Sequence, residues 1–402
     1  MYDLAAMGAW LEFAVRWLHV ITAIAWIGAS FYFIALDLGL HRDRNLSSGA
    51  DGEEWQVHGG GFYHIQKYLI APENMPDGLI WHKWQSYWTW ISGFVLLILV
   101  YYLGAEFYLI DPNVMDLATW QAVGLSLASL AFGWLAYTAL CNVFVNANQT
   151  VLMGALFVVL VAMAWFYTQV FTGRAALLHL GAFTATLMSG NVFFVIIPNQ
   201  KIVVADLKAG QTPDAKYGKI AKQRSTHNNY LTLPVIFLML SNHYPLAFAS
   251  EWNWVIASLV FLMGVTIRHW FNTHHARLGH PHWTWAMTLL IFIALVWLSV
   301  APAAQRDAAL VTRFAQAEGF ADVHEIVQGR CSMCHAVEPV WSGLLWAPKG
   351  VALETEADLT RHARAVYLQS GVSDAMPPAN LSHMKQDERA AIVAWYRSAI
   401  GQ

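Results

Sequence analysis

Long apolar runs set the first limit on what this chain can fold into. Eight stretches carry almost no charge, at about 11–36, 85–104, 117–140, 150–171, 175–198, 230–250, 254–272 and 283–302. A helix needs about 20 predominantly apolar residues to cross a bilayer, because every backbone N–H and C=O must be satisfied within the segment. Charged residues make up only 12% of the 402, whereas soluble globular chains carry about 25%. Too little charge remains to cover a water-facing surface of this size. A cytosolic enzyme is thereby excluded, and the apolar surface calls for a lipid bilayer. The net charge of −3 supplies no basic field for nucleic acid. Three cysteines build no disulfide framework.

Lysine and arginine in the connecting loops give the orientation. The first, third, fifth and seventh loops hold Arg42, Arg44, Lys67, Lys83, Lys201, Lys208, Lys216, Lys219, Lys222, Arg224, Arg268 and Arg277, and the even loops hold only Arg174. Twelve against one puts the odd loops in the cytoplasm, and eight spans then leave both termini outside. No short basic segment with a small-residue cleavage site precedes the first run, so it reads as a retained helix rather than a signal peptide. Composition turns from apolar to ordinary polar near Gln305. The expected architecture is all-α: an eight-helix integral membrane bundle over 1–304, followed by a small extracytoplasmic domain over 305–402.

Within that domain, Cys331-Ser332-Met333-Cys334-His335 is C-x-x-C-H, the attachment signature of a c-type haem. Thiols one helical turn apart reach the two vinyl groups of one haem, and the adjacent histidine falls under the iron. A bare redox dithiol is the competing explanation. Three features favour haem: a helix-like lead-in over Phe320 to Arg330, Met376 ahead of Pro377-Pro378, and an amphipathic segment from Gln386 to Ile400 with Trp395 and Tyr396. They outline a class I-like cytochrome c. Met376 is the preferred second axial ligand because the prolines stiffen its loop; Met384 is its rival, with His383 and His362 behind. Met/His ligation raises the reduction potential, as an electron acceptor requires. Covalent haem attachment takes place outside the cytoplasm, where the charge bias independently puts this domain.

Ionisable groups inside a membrane are costly and mark functional sites. His19 lies in the first run, roughly 10–14 Å from the outer surface, and His179 opens the fifth at about 6 Å depth. Two histidines at similar height on different helices could clamp a b-type haem, with His243 at the outer end of the sixth run as a third candidate. The same histidines serve equally as hydrogen-bonding residues. Glu12 and Arg16, spaced i,i+4, form an interfacial ion pair. The cytoplasmic face interleaves His, Asn and Gln with aromatic rings, at 58–68, 81–85, 224–230 and 268–275. Such a set suits a planar, polar, anionic heterocycle, although headgroup anchoring accounts for many of the tryptophans. A histidine-ligated copper or iron centre fits the same residue types. The Gly59-Gly60-Gly61 run is no phosphate loop, since G-x-x-x-x-G-K is absent.

Several segments resemble the bacterial membrane-bound urate hydroxylases (urate oxidases), which join an eight-span N-terminal domain to a C-terminal cytochrome c. They are His58-Gly59-Gly60-Gly61, Met75-Pro76-Asp77-Gly78, Asn191-Val192-Phe193-Phe194, Ile197-Pro198-Asn199-Gln200-Lys201, His227-Asn228-Asn229-Tyr230-Leu231-Thr232-Leu233-Pro234 and Ser241-Asn242-His243-Tyr244-Pro245. With the haem motif, the likeness covers essentially the whole chain. It implies purine catabolism at the bacterial inner membrane: urate is oxidised to 5-hydroxyisourate with water as oxygen source. Electrons leave through a periplasmic haem c to a soluble cytochrome c or terminal oxidase. On that expectation, His227, His82 and His269 are general-base candidates, since imidazole titrates near neutral pH. Asn228, Asn229, Lys83, Gln85 and Arg268 are candidates for holding substrate. The alternatives are a membrane cytochrome that oxidises quinol or another donor, and a non-enzymatic anchor for an electron-transfer cytochrome.

Overall fold

A long uncharged apolar run satisfies its own backbone only as a helix, and the N-terminal part of the chain is built that way. The computed structural model describes residues 4–43, 45–68, 76–112, 114–144, 148–300, 312–344 and 346–401. Arg44, Met75 of the Met75–Gly78 motif and the expected boundary at 304/305 lie outside these residues. The chain is mostly helical, with 72% helix and 5% strand. It divides into two units, Met1–Val300 and Ala301–Gln402.

In the first unit the helices are α1 (Leu4–Gly39), α2 (Trp84–Leu96), α3 (Thr119–Val143), α4 (Gln149–Val170), α5 (Gly173–Gly190), α6 (Ile197–Lys208), α7 (Ala215–Ser241), α8 (Asn253–His275) and α9 (Trp283–Val300). Among the described residues, five are long and apolar enough to cross a membrane: Met7–Gly39, Thr119–Val143, Gln149–Val170, Gly173–Lys208 and Asn253–His275. Trp283–Ser299 is a shorter apolar helix. The run at 85–104 folds as α2 continued by a π-helical turn, Leu97–Tyr102, and the run at 230–250 is split between the end of α7 and a short helix at Pro245–Phe248. Trp10, Phe13, Trp17 and Ile24 on α1, and Leu289, Leu290, Phe292 and Trp297 on α9, are each more than half exposed. Apolar surface of that extent needs a partner other than water, and a bilayer supplies one.

The all-α expectation is corrected in the first loop, where β1 (Ala50–His58) and β2 (Gly61–Tyr68) form an antiparallel hairpin. Its turn is Gly59-Gly60, at φ +58° and +81°. Positive φ at both positions is what a two-residue hairpin turn matched to strand twist requires. The glycines therefore serve the turn. Tyr32 of α1 donates to Gln56 at 2.6 Å, and Asp37 near the C-terminal end of α1 pairs with Lys67 of β2 and Lys222 of α7.

The buried centre of the first unit lies among α3, α4, α5, α7 and α8, around Tyr137, Leu156, Tyr167, Phe183, Leu187 and Leu238. Two backbone irregularities shape it. Asn191–Ile196, between α5 and α6, is π-helical, and Pro198, just inside α6, has no N–H to return to the Phe194 carbonyl. The ladder widens there, and such π segments recur at functional sites. Pro234 interrupts α7 in the same manner. Gly264 of α8 packs on it so closely that a Cβ would stand 2.5 Å from the proline Cδ.

The second unit contains α10 (Phe320–Arg330), a turn of helix at Ser332–His335, α11 (Glu356–Arg361) and α12 (Gln386–Ile400). Trp395 is 1% exposed and donates its indole N–H to the Phe314 carbonyl at 3.0 Å. Tyr396 stacks on Tyr367 with ring centroids 4.3 Å apart.

Candidate functional site

Helix α7 carries the densest polar chemistry of the first unit. At 100° per residue, Arg224, His227 and Asn228 share one face. They meet Tyr137 of α3 and Asn191 of the π-helical turn. Tyr137 Oη lies 2.7 Å from His227 Nδ1 and accepts from Asn191 Nδ2 at 3.0 Å. Asn191 Nδ2 also donates to Asn228 Oδ1 at 2.9 Å, and Arg224 donates to Asn191 Oδ1 at 3.3 Å. Asn228 in turn donates to the Met188 carbonyl at 3.0 Å. The Arg224 guanidinium sits 4.8 Å from the centre of the Tyr137 ring, a cation–π contact. All five residues are buried.

Two atoms in this cluster have no protein partner: His227 Nε2 and Arg224 Nε. An unpaired polar atom in a buried site costs about 1–3 kcal/mol, and buried groups of this kind are otherwise almost always bonded. The geometry thus leaves one imidazole nitrogen and one guanidinium N–H for a ligand. With Nδ1–H donating to the tyrosine oxygen, Nε2 carries the lone pair a general base needs.

Asn229 points the opposite way. Arg268 and Asn272 of α8 both donate to its Oδ1, at 3.3 and 2.9 Å. Arg268 also donates to Asn272 Oδ1 at 3.0 Å and lies 4.2 Å from the Phe31 ring centre. The expected substrate residues therefore fall into separate groups, Asn228 with His227 on one side of α7, Asn229 with Arg268 on the other. His82 is exposed and edge-on to Phe33. His269 is exposed, 3.4 Å from Tyr230 Oη. Lys83 rests over the Trp84 ring, 5.3 Å from its centre. Gln85, half-buried, accepts from the Thr89 hydroxyl at 2.6 Å through its backbone carbonyl. None of these four has a described contact with the Arg224 cluster. Arg224 and Asn191 fall in segments the sequence points to, 224–230 and Asn191–Phe194, without being candidate site residues themselves; Tyr137 lies in no such segment.

The three histidines expected to hold a b-type haem differ from one another. His19 Nδ1 is 3.0 Å from the Thr89 carbonyl and 3.1 Å from Ser92 Oγ. His179 is fully buried and uses both ring nitrogens, Nδ1 on the Ala175 carbonyl and Nε2 on Ser126 Oγ, each at 2.8 Å. His243 is exposed. Glu12 and Arg16 form the expected ion pair.

In the second unit, Cys331 and Cys334 occupy one turn, with the Cys334 and His335 N–H groups both directed to the Cys331 carbonyl. His335 Nδ1 donates to the Val351 carbonyl at 2.7 Å. That bond fixes the tautomer and turns Nε2 free, the arrangement of a metal-bound imidazole. Burial pushes the Cys331 thiol up to about 11, opposite to the lowered value of a redox-active dithiol. These residues fit a covalently held haem: Cys331 and Cys334 would form the thioethers and His335 the axial bond. The Met376 carbonyl accepts from Arg389 at 2.9 Å, and Ala379, Asn380 and His383 just beyond it have positive φ. Such backbone strain clusters at ligand-holding loops. Met384 is 4% exposed, with its backbone held at both ends by the Asn380 side chain.

Arg330, one residue before the motif, grips Glu388 through Nε and a terminal nitrogen, the latter at 2.7 Å. The hydrogen bond from Arg330 holds the Glu388 carboxyl below its ordinary range. A depressed carboxylate stabilises the fold above its unfolded-state value and loses that contribution as pH falls through the folded-state value. Arg330→Gln should therefore lower the melting temperature of the second unit at pH 7. The difference from the parent should shrink once pH drops below about 4.3. Thermal melts followed by tryptophan fluorescence across pH check this, and a gap that stays constant to pH 3 contradicts it.

Apolar helices closing around a buried guanidinium, imidazole and amide cluster define a helical protein of membrane-type composition with a polar cluster in its core. The chain belongs to the urate oxidase N-terminal family, whose model matches residues 5–299. That relation makes it a urate-related oxidoreductase. The haem motif lies beyond the matched residues. Neither a curated protein nor a solved structure matches the chain.

Proposed function

We propose that the chain is a bacterial inner-membrane enzyme that oxidises urate to 5-hydroxyisourate at the Arg224–His227 cluster, with water supplying the added oxygen. Urate plus water gives 5-hydroxyisourate, two protons and two electrons. The observation that carries the site is the pair of unpartnered buried atoms, His227 Nε2 and Arg224 Nε. Urate is a flat anion at neutral pH. The guanidinium answers its charge, Asn228 Nδ2 keeps one hydrogen beyond its bond to Met188 for a urate carbonyl, and the amide oxygens of Asn191 and Asn228 each keep a lone pair for a ring N–H. His227 Nε2 takes a proton as water adds to the ring, while the Tyr137 oxygen holds the Nδ1–H in place. Haem c at Cys331, Cys334, His335 and Met376, when bound, supplies a one-electron acceptor in the periplasmic domain. Onward acceptors are a soluble cytochrome c or a terminal oxidase.

Turnover under argon in ¹⁸O-labelled water, with ferricyanide as acceptor, tests the reading. Product labelled from water and free of peroxide is expected. A strict oxygen requirement with peroxide release contradicts it. Tyr137→Phe should slow turnover about tenfold, the value of one hydrogen bond worth ~1–1.5 kcal/mol, with little change in KM. An unchanged kcat would remove the tyrosine from the positioning of His227.

A further inference from the structure

We propose that His19 is an axial ligand of a non-covalent, b-type haem held within the first unit; only its role as an electron carrier rests on the urate-oxidising reading above. Nδ1 of His19 faces a backbone carbonyl, that of Thr89 at 3.0 Å. A carbonyl can only accept, so Nδ1 carries the hydrogen and the lone pair of the neutral ring sits on Nε2. Among the described residues no partner meets Nε2. Metal-bound histidines are oriented in this way, one nitrogen tied to a carbonyl and the other presented to the metal.

The seat for the ring is built into α2. Ser92 adds a second contact at 3.1 Å, and Gly93 gives the imidazole its place: a Cβ there would stand 2.8 Å from His19 Cε1. The Thr89 carbonyl, the Ser92 hydroxyl and the missing Cβ of Gly93 together make a hydrogen-bonded notch for one imidazole, and ionisable groups within membrane-type helices are costly and mark functional sites.

The ligand class follows from what surrounds the histidine. A bare zinc or copper ion takes three or four protein ligands, and among the described residues no group of three His, Cys, Asp or Glu is arranged to hold one. A porphyrin brings four nitrogens of its own and asks the protein for one or two axial bonds and an apolar surface. Leu18 and Val20, which flank His19 on α1, and Ile91, next to Ser92 on α2, leave apolar surface exposed. His179 is set apart from this role, because both its nitrogens are engaged. One electron reduces Fe(III) to Fe(II) in each haem, so one b-type and one c-type haem together match the two electrons urate releases.

Pyridine haemochrome analysis of the purified full chain tests the site, with acid–acetone extraction separating b from covalently bound c. The parent should hold one extractable haem b per haem c. His19→Ala should lose at least ten-fold of the b-haem at unchanged c-haem content, and His19→Gly should regain it when purified with imidazole. His179→Gln should keep it. A parent preparation holding only haem c overturns the proposal, as does b-haem retained at full occupancy in both His19 variants. The haem count needs no substrate. A chain that binds b-haem through His19 but is not reduced by urate loses the urate reading and keeps this site; a chain reduced by urate without any b-haem does the reverse.

Discussion

In a His227→Gln variant, anaerobic urate oxidation should fall by roughly 10²–10⁴-fold, the usual contribution of a positioned general base. Gln can still bond the Tyr137 oxygen, 2.7 Å from the native Nδ1, but it offers no basic nitrogen where Nε2 stands. The loss should therefore appear in kcat more than in KM, because Arg224, Asn191 and Asn228 still hold the substrate. The haem c spectrum of the variant should match the parent, since His227 belongs to the first unit and the haem motif to the second. Dye-linked turnover and the reduced-minus-oxidised spectrum, measured on one preparation, separate lost chemistry from a damaged protein. Parental turnover would exclude the imidazole from the reaction.

The second large effect concerns the exit for electrons. Replacing both Cys331 and Cys334 by Ala should abolish covalent haem, leaving no haem-stained band after denaturing electrophoresis. Turnover with cytochrome c as acceptor should fall to background, while urate binding at the Arg224 cluster persists. His335 would remain held by Val351, so some haem associates loosely, but it washes out on denaturation. Haem that survives denaturation in the double variant would require another attachment point and would refute the motif assignment.

Much of this organisation was legible in the amino-acid sequence, and the exceptions have physical causes. Apolar runs announce helices because backbone satisfaction in lipid leaves little choice, and α4 and α5 meet at Phe171-Thr172, in the short gap between the runs at 150–171 and 175–198. The β1–β2 hairpin lies outside the apolar runs and shows itself only through Gly59-Gly60, whose positive φ marks a turn between strands. Neighbouring Asn228 and Asn229 looked like one site in the sequence, yet a 100° step per residue sends them to different partners. Tyr137 gives no signal of its role in the sequence. Only packing brings it to His227, and the π-helical turn ahead of Pro198 places Asn191 against it. The histidines of the outer half looked alike in sequence and parted on hydrogen bonding: His179 is saturated and His19 keeps one nitrogen open.

The central claim is that urate's reducing equivalents reach the thioether-bound haem without dioxygen. Rapid mixing of the oxidised, purified full chain with urate under argon, followed at the haem c α-band, tests it most directly. The account predicts reduction of that band at a rate matching turnover, two electrons delivered per urate consumed, and no peroxide. A haem c that stays oxidised while urate is consumed, or urate loss only when oxygen is admitted, would contradict it.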